Sequence, residues 1–202
     1  MVQTIEKAKW QIPWEQSLIV SKEVSSAGMQ PALLSIPKEK DEKRNMLYIC
    51  FDNESAEGKI DSSILIKRLP AIAAASGYAY VATASPSHPF DLIEKAIKGW
   101  EANGPAFIHI LCPCPVGWGF DPQDAVRLGR IAVETRLFPL YEIAGGYYQI
   151  TIDKPNPRPL KDYIKRQERF SSWKAKKIEA LQEEVNTAFN TLTDKVNKGT
   201  GM

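Results

Sequence analysis

Two cysteines one proline apart, Cys112-Pro113-Cys114-Pro115, are the residues of this chain best placed to do chemistry. A thiolate is a ligand for zinc or an iron–sulfur cluster, and a nucleophile when its pKa is lowered. Before the pair, Phe107, Ile108, Ile110 and Leu111 form a short apolar run, as expected of a strand covered on both faces. Pro113 and Pro115 then forbid further ladder hydrogen bonds. The cysteines therefore stand at or just beyond a strand end, which is where open α/β sheets bind ligands. Two readings stay open: a turn that only packs and reverses the chain, or a loop that contributes one thiolate to a metal–sulfur site. Redox or metal chemistry by the pair itself is a third, weakened by the lack of an adjacent cation to lower a thiol pKa.

The chain has three cysteines and no Cys-x-x-Cys. Cys50 lies inside Leu47-Tyr-Ile-Cys-Phe51 and reads as a small buried hydrophobe. A disulfide between Cys112 and Cys114 would be strained. A four-ligand site cannot come from these cysteines alone; the two histidines could add ligands, and a site shared with another chain stays open. His109, between Ile108 and Ile110, reads as a satisfied core histidine, and His88, before Pro89, as a helix-start residue. Glu54 follows a strand end and is the better candidate for a pocket carboxylate.

These groups need a frame. The 202 residues suit one domain with extensions, and a net charge of +2 gives no argument for nucleic acid or membrane. No apolar stretch approaches the ~20 residues of a spanning helix. The N-terminus has no signal-peptide pattern, so the cytoplasm is the expected location. Residues 1–46 show apolar positions without a clean period and a charge run, Lys38 to Arg44, and read as an arm. From Leu47 the pattern becomes regular. Leu47 to Asp52 reads as a strand and Ser62 to Ser76 as a helix, with Pro70 marking its first real turn and Gly77 its stop. Tyr78 to Ala84 is a second strand. Ser87 to Asn103 is a helix with Phe90, Ile93, Ile97 and Trp100 on its apolar side. After the third strand, Asp121 and Pro122 open a helix that runs to about Thr135.

Strand and helix alternating in this way predict a parallel sheet with right-handed crossovers. Tyr141 to Asp153 reads as a hairpin turning at Gly145-Gly146. Pro155, Pro157 and Pro159 make a stiff connector, Leu160 to Phe170 is amphipathic and basic, and a final helix from about Ser172 carries an apolar stripe from Ile178 to Val196. The division expected is an arm (1–46), an α/β domain (47–153), and a C-terminal connector and helix (154–202).

The ordered segments Leu47-Tyr-Ile-Cys-Phe-Asp-Asn-Glu54, Leu69-Pro-Ala-Ile-Ala-Ala-Ala-Ser-Gly77, Tyr80-Val-Ala-Thr-Ala-Ser85, Gly104-Pro-Ala-Phe-Ile-His-Ile-Leu111, Pro113-Cys-Pro-Val-Gly-Trp118, Phe138-Pro-Leu-Tyr-Glu142 and Pro159 to Phe170 resemble one family. It is the β subunit of 2-oxoacid:ferredoxin oxidoreductases of the pyruvate synthase type, in its C-terminal half. The resemblance implies an α/β fold with a parallel sheet of the thiamine-diphosphate-binding type, incomplete at its N-terminal side, with a C-terminal helical extension. It implies thiamine diphosphate, Mg²⁺ and a [4Fe–4S] cluster. In that chemistry the cofactor attacks a 2-oxoacid, CO₂ leaves, electrons pass through the cluster to ferredoxin, and coenzyme A takes the acyl group. Carried over by position, Asn53 and the backbone of Ser55 match Mg²⁺ ligands, Glu54 lies in the same cofactor-binding stretch, and Cys114 matches the fourth cluster ligand.

The departures are as specific as the matches. The family's Gly-Asp-Gly segment and three earlier cluster cysteines are absent, and Ser55-Ala-Glu-Gly-Lys-Ile-Asp61 stands where the family has Tyr-x-Asn-Thr-Gly. The chain alone is therefore expected to bind neither thiamine diphosphate nor a cluster. It is either a subunit or partial subunit completed by other polypeptides, with ferredoxin reached through the complex, or a non-catalytic paralogue serving as an assembly or regulatory module. A sheet lacking its first strands would leave an open edge, and with the striped last helix this implies association with other chains.

Overall fold

A computed structural model of the chain describes residues 2–4, 16–21, 45–54 and 69–199. Its strands are β1 (Val2–Thr4), β2 (Gln16–Ser21), β3 (Asn45–Asp52), β4 (Tyr80–Ala84), β5 (Ala106–Leu111), β6 (Leu140–Ala144) and β7 (Tyr147–Ile152). Among the described residues they form one sheet in the order β1-β2-β3-β5-β4-β6-β7. The four inner strands β2, β3, β5 and β4 are parallel, and β1, β6 and β7 are antiparallel to their neighbours.

The apolar runs account for this centre. β4 and β5 are buried along their whole length, so alternate side chains feed two cores. Tyr48, Cys50, Val81 and Phe107 face helix α1 (Leu69–Ala75). Leu47, Tyr80, Ala82, Ala106, Ile108 and Ile110 face helix α2 (Pro89–Glu101). A third core gathers Leu111, Trp118 and Leu140 with the later helices. These are α3 (Pro115–Trp118, one turn), α4 (Ala125–Glu134), α5 (Lys161–Ile164, one turn) and α6 (Ala175–Gly199). The β6–β7 hairpin turns at Gly145 and Gly146, whose φ values of 58° and 87° give the backbone twist that matches paired strands. The fold is thus α/β with a mostly parallel open sheet and a C-terminal helix, as expected.

Some local expectations change in the structure. Among the described residues, β1 and β2 lie ahead of β3, and β2 pairs with β3, so the β3 edge is not open. The helix expected from Ser62 is described only from Leu69, because residues 55–68 lie outside the described set. The stripe of α6 packs on its own domain: Leu181, Val185, Phe189 and Leu192 are buried, and the Arg136 guanidinium lies 4.0 Å from the Phe189 ring centre. Neither the edge nor the stripe therefore argues for association.

Helix α2 is turned differently from the pattern. Phe90, Ile93 and Ile97 are 87%, 55% and 52% exposed, while Lys95 and Gly99 are buried. The reason is local. The missing side chain of Gly99 lets α2 sit close on the sheet, where a Cβ would lie 3.0 Å from a Leu47 methyl. Lys95 is satisfied beneath the helix by Asp91 (2.8 Å), the Thr83 carbonyl (2.9 Å) and the Thr151 hydroxyl (2.7 Å). Burial lowers its pKa, and the bond to Asp91 opposes that.

Candidate functional site at the carboxyl edge of the sheet

β3 and β5 are neighbours in register, Asp52 opposite Leu111. Their carboxyl ends therefore bring Asn53-Glu54 beside the Cys112–Cys114 turn. The Cys112 amide donates to the Asp52 carbonyl at 2.7 Å, extending the ladder one step, and Pro113 ends it. Pro115 then opens the single turn α3, whose N-cap is Cys114. The sulfur of half-buried Cys114 accepts the Gly117 amide at 3.4 Å. Trp118 is fully buried and donates its indole N–H to the Asn53 carbonyl at 2.6 Å. The turn is thus pinned to the tip of β3.

The carboxylates at that tip are engaged inside the protein. Asp52 accepts the Glu54 amide on Oδ1 (2.8 Å) and contacts His109 Nε2 through Oδ2 at 2.8 Å. His109 is buried and satisfied, as its position between isoleucines suggested. Glu54 has a left-handed backbone, φ 47°, which turns its side chain inward. It is 2% exposed, and its Oε2 accepts from Arg169 Nη2 at 2.7 Å and from the Tyr163 hydroxyl at 3.1 Å. Burial first, and the neighbouring Glu54 charge second, push the Tyr163 phenol well above its ordinary pKa, so it stays a donor. The Arg169 guanidinium also stacks on Trp118, 3.9 Å from the ring centre.

Of the sequence-derived site residues, the fold brings Asn53, Glu54 and Cys114 together; Ser55 lies outside the described residues. Asn53 is half-buried. Cys112 and Cys114 differ in kind: burial, then the Asp52 charge, push the Cys112 thiol up to about 11, so it is protonated at neutral pH. Arg169 and Tyr163 were not read as site residues. Arg169 stands in the basic Leu160–Phe170 segment, but nothing local in that segment names its partner at the other end of the domain.

A magnesium–diphosphate site needs several open oxygen ligands. Here Asp52 and Glu54 are already paired, and among the described residues no group of three or more His, Cys, Asp or Glu could hold a metal ion. The described residues do not fit that group unaided. Two thiols are half-buried at this edge, Cys112 and Cys114; burial holds Cys112 protonated, which leaves Cys114 as the thiol that fits one corner of an iron–sulfur cluster. An open cleft of about 530 Å³ lies at the opposite edge, around Tyr80, Lys98, Asn103 and Glu142. Both Glu142 oxygens there are taken, by Tyr80 and Lys98.

The fold and this edge define an α/β subunit with a thiol-bearing turn at the carboxyl end of its parallel strands. No family model matches the chain. It is 38% identical over 171 residues to the pyruvate synthase subunit PorB of Methanothermobacter thermautotrophicus, a match covering 73% of this chain and 59% of that protein. It is 32% identical over 211 residues to the pyruvate synthase subunit PorB of Methanosarcina barkeri, covering 81% of this chain and 71% of that protein. The ketoisovalerate oxidoreductase subunit VorB of Pyrococcus horikoshii matches at 39% over 108 residues, 52% of this chain and 35% of that protein. The chain belongs to the PorB-like family of β subunits, and it spans about three fifths of the length of the first of these relatives. The match to the Methanosarcina barkeri protein runs over 211 positions, yet takes in only 81% of a 202-residue chain. That relative therefore carries some dozens of residues inside the matched span that have no counterpart here.

Proposed function

We propose that this chain works in the cytoplasm as a subunit of a 2-oxoacid:ferredoxin oxidoreductase assembly, the reaction being oxidative decarboxylation of a 2-oxoacid to an acyl-coenzyme A with electrons passed to ferredoxin. Partner polypeptides hold thiamine diphosphate and Mg²⁺ and supply most of the cluster thiolates. Cys114 supplies one thiolate. Asn53 and Ser55 match the family's Mg²⁺ ligands by sequence position, and Glu54 anchors the connector through Arg169. The observation that carries this reading is the Cys114 turn, capped by Gly117 and pinned through Trp118 to the tip of β3. A rigid thiol at a sheet's carboxyl edge suits ligation better than chain reversal alone requires.

The test is reconstitution with the sister subunits, with dye or ferredoxin reduction and iron content measured together. Cys114→Ala is expected to lose most activity and iron, and Cys112→Ala little of either. Equal iron and activity in Cys114→Ala and the unaltered protein would leave the second reading, a non-catalytic module for assembly or regulation. Two observations favour that second reading: both β3-tip carboxylates are closed off, and the extra residues of the Methanosarcina barkeri relative fall within the matched span.

A further inference from the structure

Charge is distributed very unevenly along this chain. Residues 154–177 contain nine lysines and arginines against one aspartate and one glutamate, a net +7, in a protein whose total is +2. Everything else therefore nets −5. Four of these cations have partners: Lys154 and Arg158 pair with Glu134, Arg169 with Glu54, and Lys177 lies over Trp173. Lys161, Lys165, Arg166, Lys174 and Lys176 are exposed, and no ion pair joins any of them to a described residue.

These five are not on a floppy tail. An aromatic ladder holds their segment against the Cys114 turn: Trp118 to Tyr163 at 6.1 Å, Tyr163 to Phe170 at 6.4 Å, Phe170 to Trp173 at 4.8 Å between ring centres. The Glu168 amide donates to the Gly119 carbonyl at 3.0 Å. On the turn itself Val116 is 95% exposed, two residues from Cys114 and two from fully buried Trp118. A fixed cationic surface with a single protruding apolar side chain differs from an obligate interface, which is broad and apolar. It has the character of a small, electrostatically steered and transient contact.

We infer that the surface formed by Val116 and the cationic connector docks the acidic face of a transiently bound electron-carrier protein beside Cys114. This rests on the subunit reading above and names the surface that reading leaves open. A purified acidic ferredoxin is the probe, with binding to the full chain followed by titration at low and at moderate salt. Binding is expected to weaken at least tenfold between the two salts. It should weaken at least tenfold again in Lys161→Glu/Lys165→Glu/Arg166→Glu, and several-fold in Val116→Ser, which changes no charge. Circular dichroism confirms that each variant is folded, and the Gln triple variant should fall between. The inference is overturned by ferredoxin affinity unchanged by charge reversal, or by phosphatidylserine vesicles or duplex DNA binding as tightly as ferredoxin and losing as much. In the reconstituted complex the two proposals separate. Turnover with an unaltered KM for ferredoxin in the charge-reversed variant sinks the docking surface alone. Charge-dependent binding without turnover sinks the catalytic reading alone.

Discussion

Glu54 and Arg169, 115 residues apart in the chain, meet at 2.7 Å with side chains only 2% and 4% exposed. The carboxylate belongs to the tip of a central strand and the guanidinium to the connector after the hairpin, so this pair joins the two parts of the structure that flank the Cys114 turn.

Breaking that pair from one side strands a buried charge. Arg169→Ala is expected to lower unfolding free energy by about 3–5 kcal/mol, because the buried Glu54 carboxylate then loses the guanidinium that sits 2.7 Å away. Glu54→Gln keeps the shape and an acceptor, and about 2 kcal/mol is expected. Urea unfolding of the three proteins measures both, and a loss under 1 kcal/mol for Arg169→Ala would count against the pair as a structural anchor.

Thiol chemistry separates the cysteines. With its thiol at about 11, Cys112 is only about one thousandth ionised at pH 8. Iodoacetamide should therefore modify half-buried Cys114 before Cys112 and before Cys50, which is 1% exposed. Labelling of Cys112 should accelerate about tenfold per pH unit up to about 11. The folded pKa lies above that of a solvent-exposed thiol in the unfolded chain, 9.0. The contribution to stability is thus complete below about pH 9 and is lost as pH rises towards 11, since only the unfolded thiol ionises in that window. Peptide mass spectrometry after timed labelling reads the order, and Cys112 reacting first would contradict it.

Gly119 is a close-approach position. Its φ is 68°, and a Cβ would lie 2.6 Å from the Glu168 Cβ. Gly119→Ala combines backbone strain with a clash that the connector can relieve only by moving off the turn, and about 2–4 kcal/mol of destabilisation is expected. Limited proteolysis should then cut within the 165–173 segment sooner than in the unaltered protein.

The orientation of α2 is tested by a pair of opposite substitutions. Ile93→Ser and Ile97→Ser should each change stability by about 0.5 kcal/mol or less, as surface changes do. Lys95→Met leaves Asp91, whose side chain is 8% exposed, without its cation, and about 3 kcal/mol is expected. Thermal melts with the reverse ranking would mean that the hydrophobic stripe faces inward after all.

That helix also shows where the sequence is legible and where it is not. Strands β3, β4 and β5 stand out because each is a short, mostly apolar run, and the hairpin because two glycines supply the positive φ its turn requires. Helix α2 itself is plain from its period, but its facing is not. Phe90, Ile93 and Ile97 define a stripe, and only the proximity of Asp91, the Thr83 carbonyl and Thr151 makes a buried Lys95 the better solution. The same limit applies to the site. The Cys-Pro-Cys-Pro spacing marks the turn, since two prolines end a strand whatever surrounds them. Glu54 reads as a pocket carboxylate because it follows a strand end; its actual partners, Arg169 and Tyr163, are set by tertiary packing. The strands in residues 1–46 carry no strict alternation and gain their definition from pairing with β3.

The Glu54–Arg169 contact also constrains when this protein can finish folding. A ribosome releases the β3 tip more than a hundred residues before the arginine that neutralises it. Until then the nascent sheet exposes a carboxylate that its final structure hides, together with the Trp118 face that the guanidinium will cover. Closing so long a loop is slow relative to local pairing. The sheet's carboxyl edge should therefore be the last region to become protected from hydrogen exchange, maturing only once the connector has emerged and swung back across it.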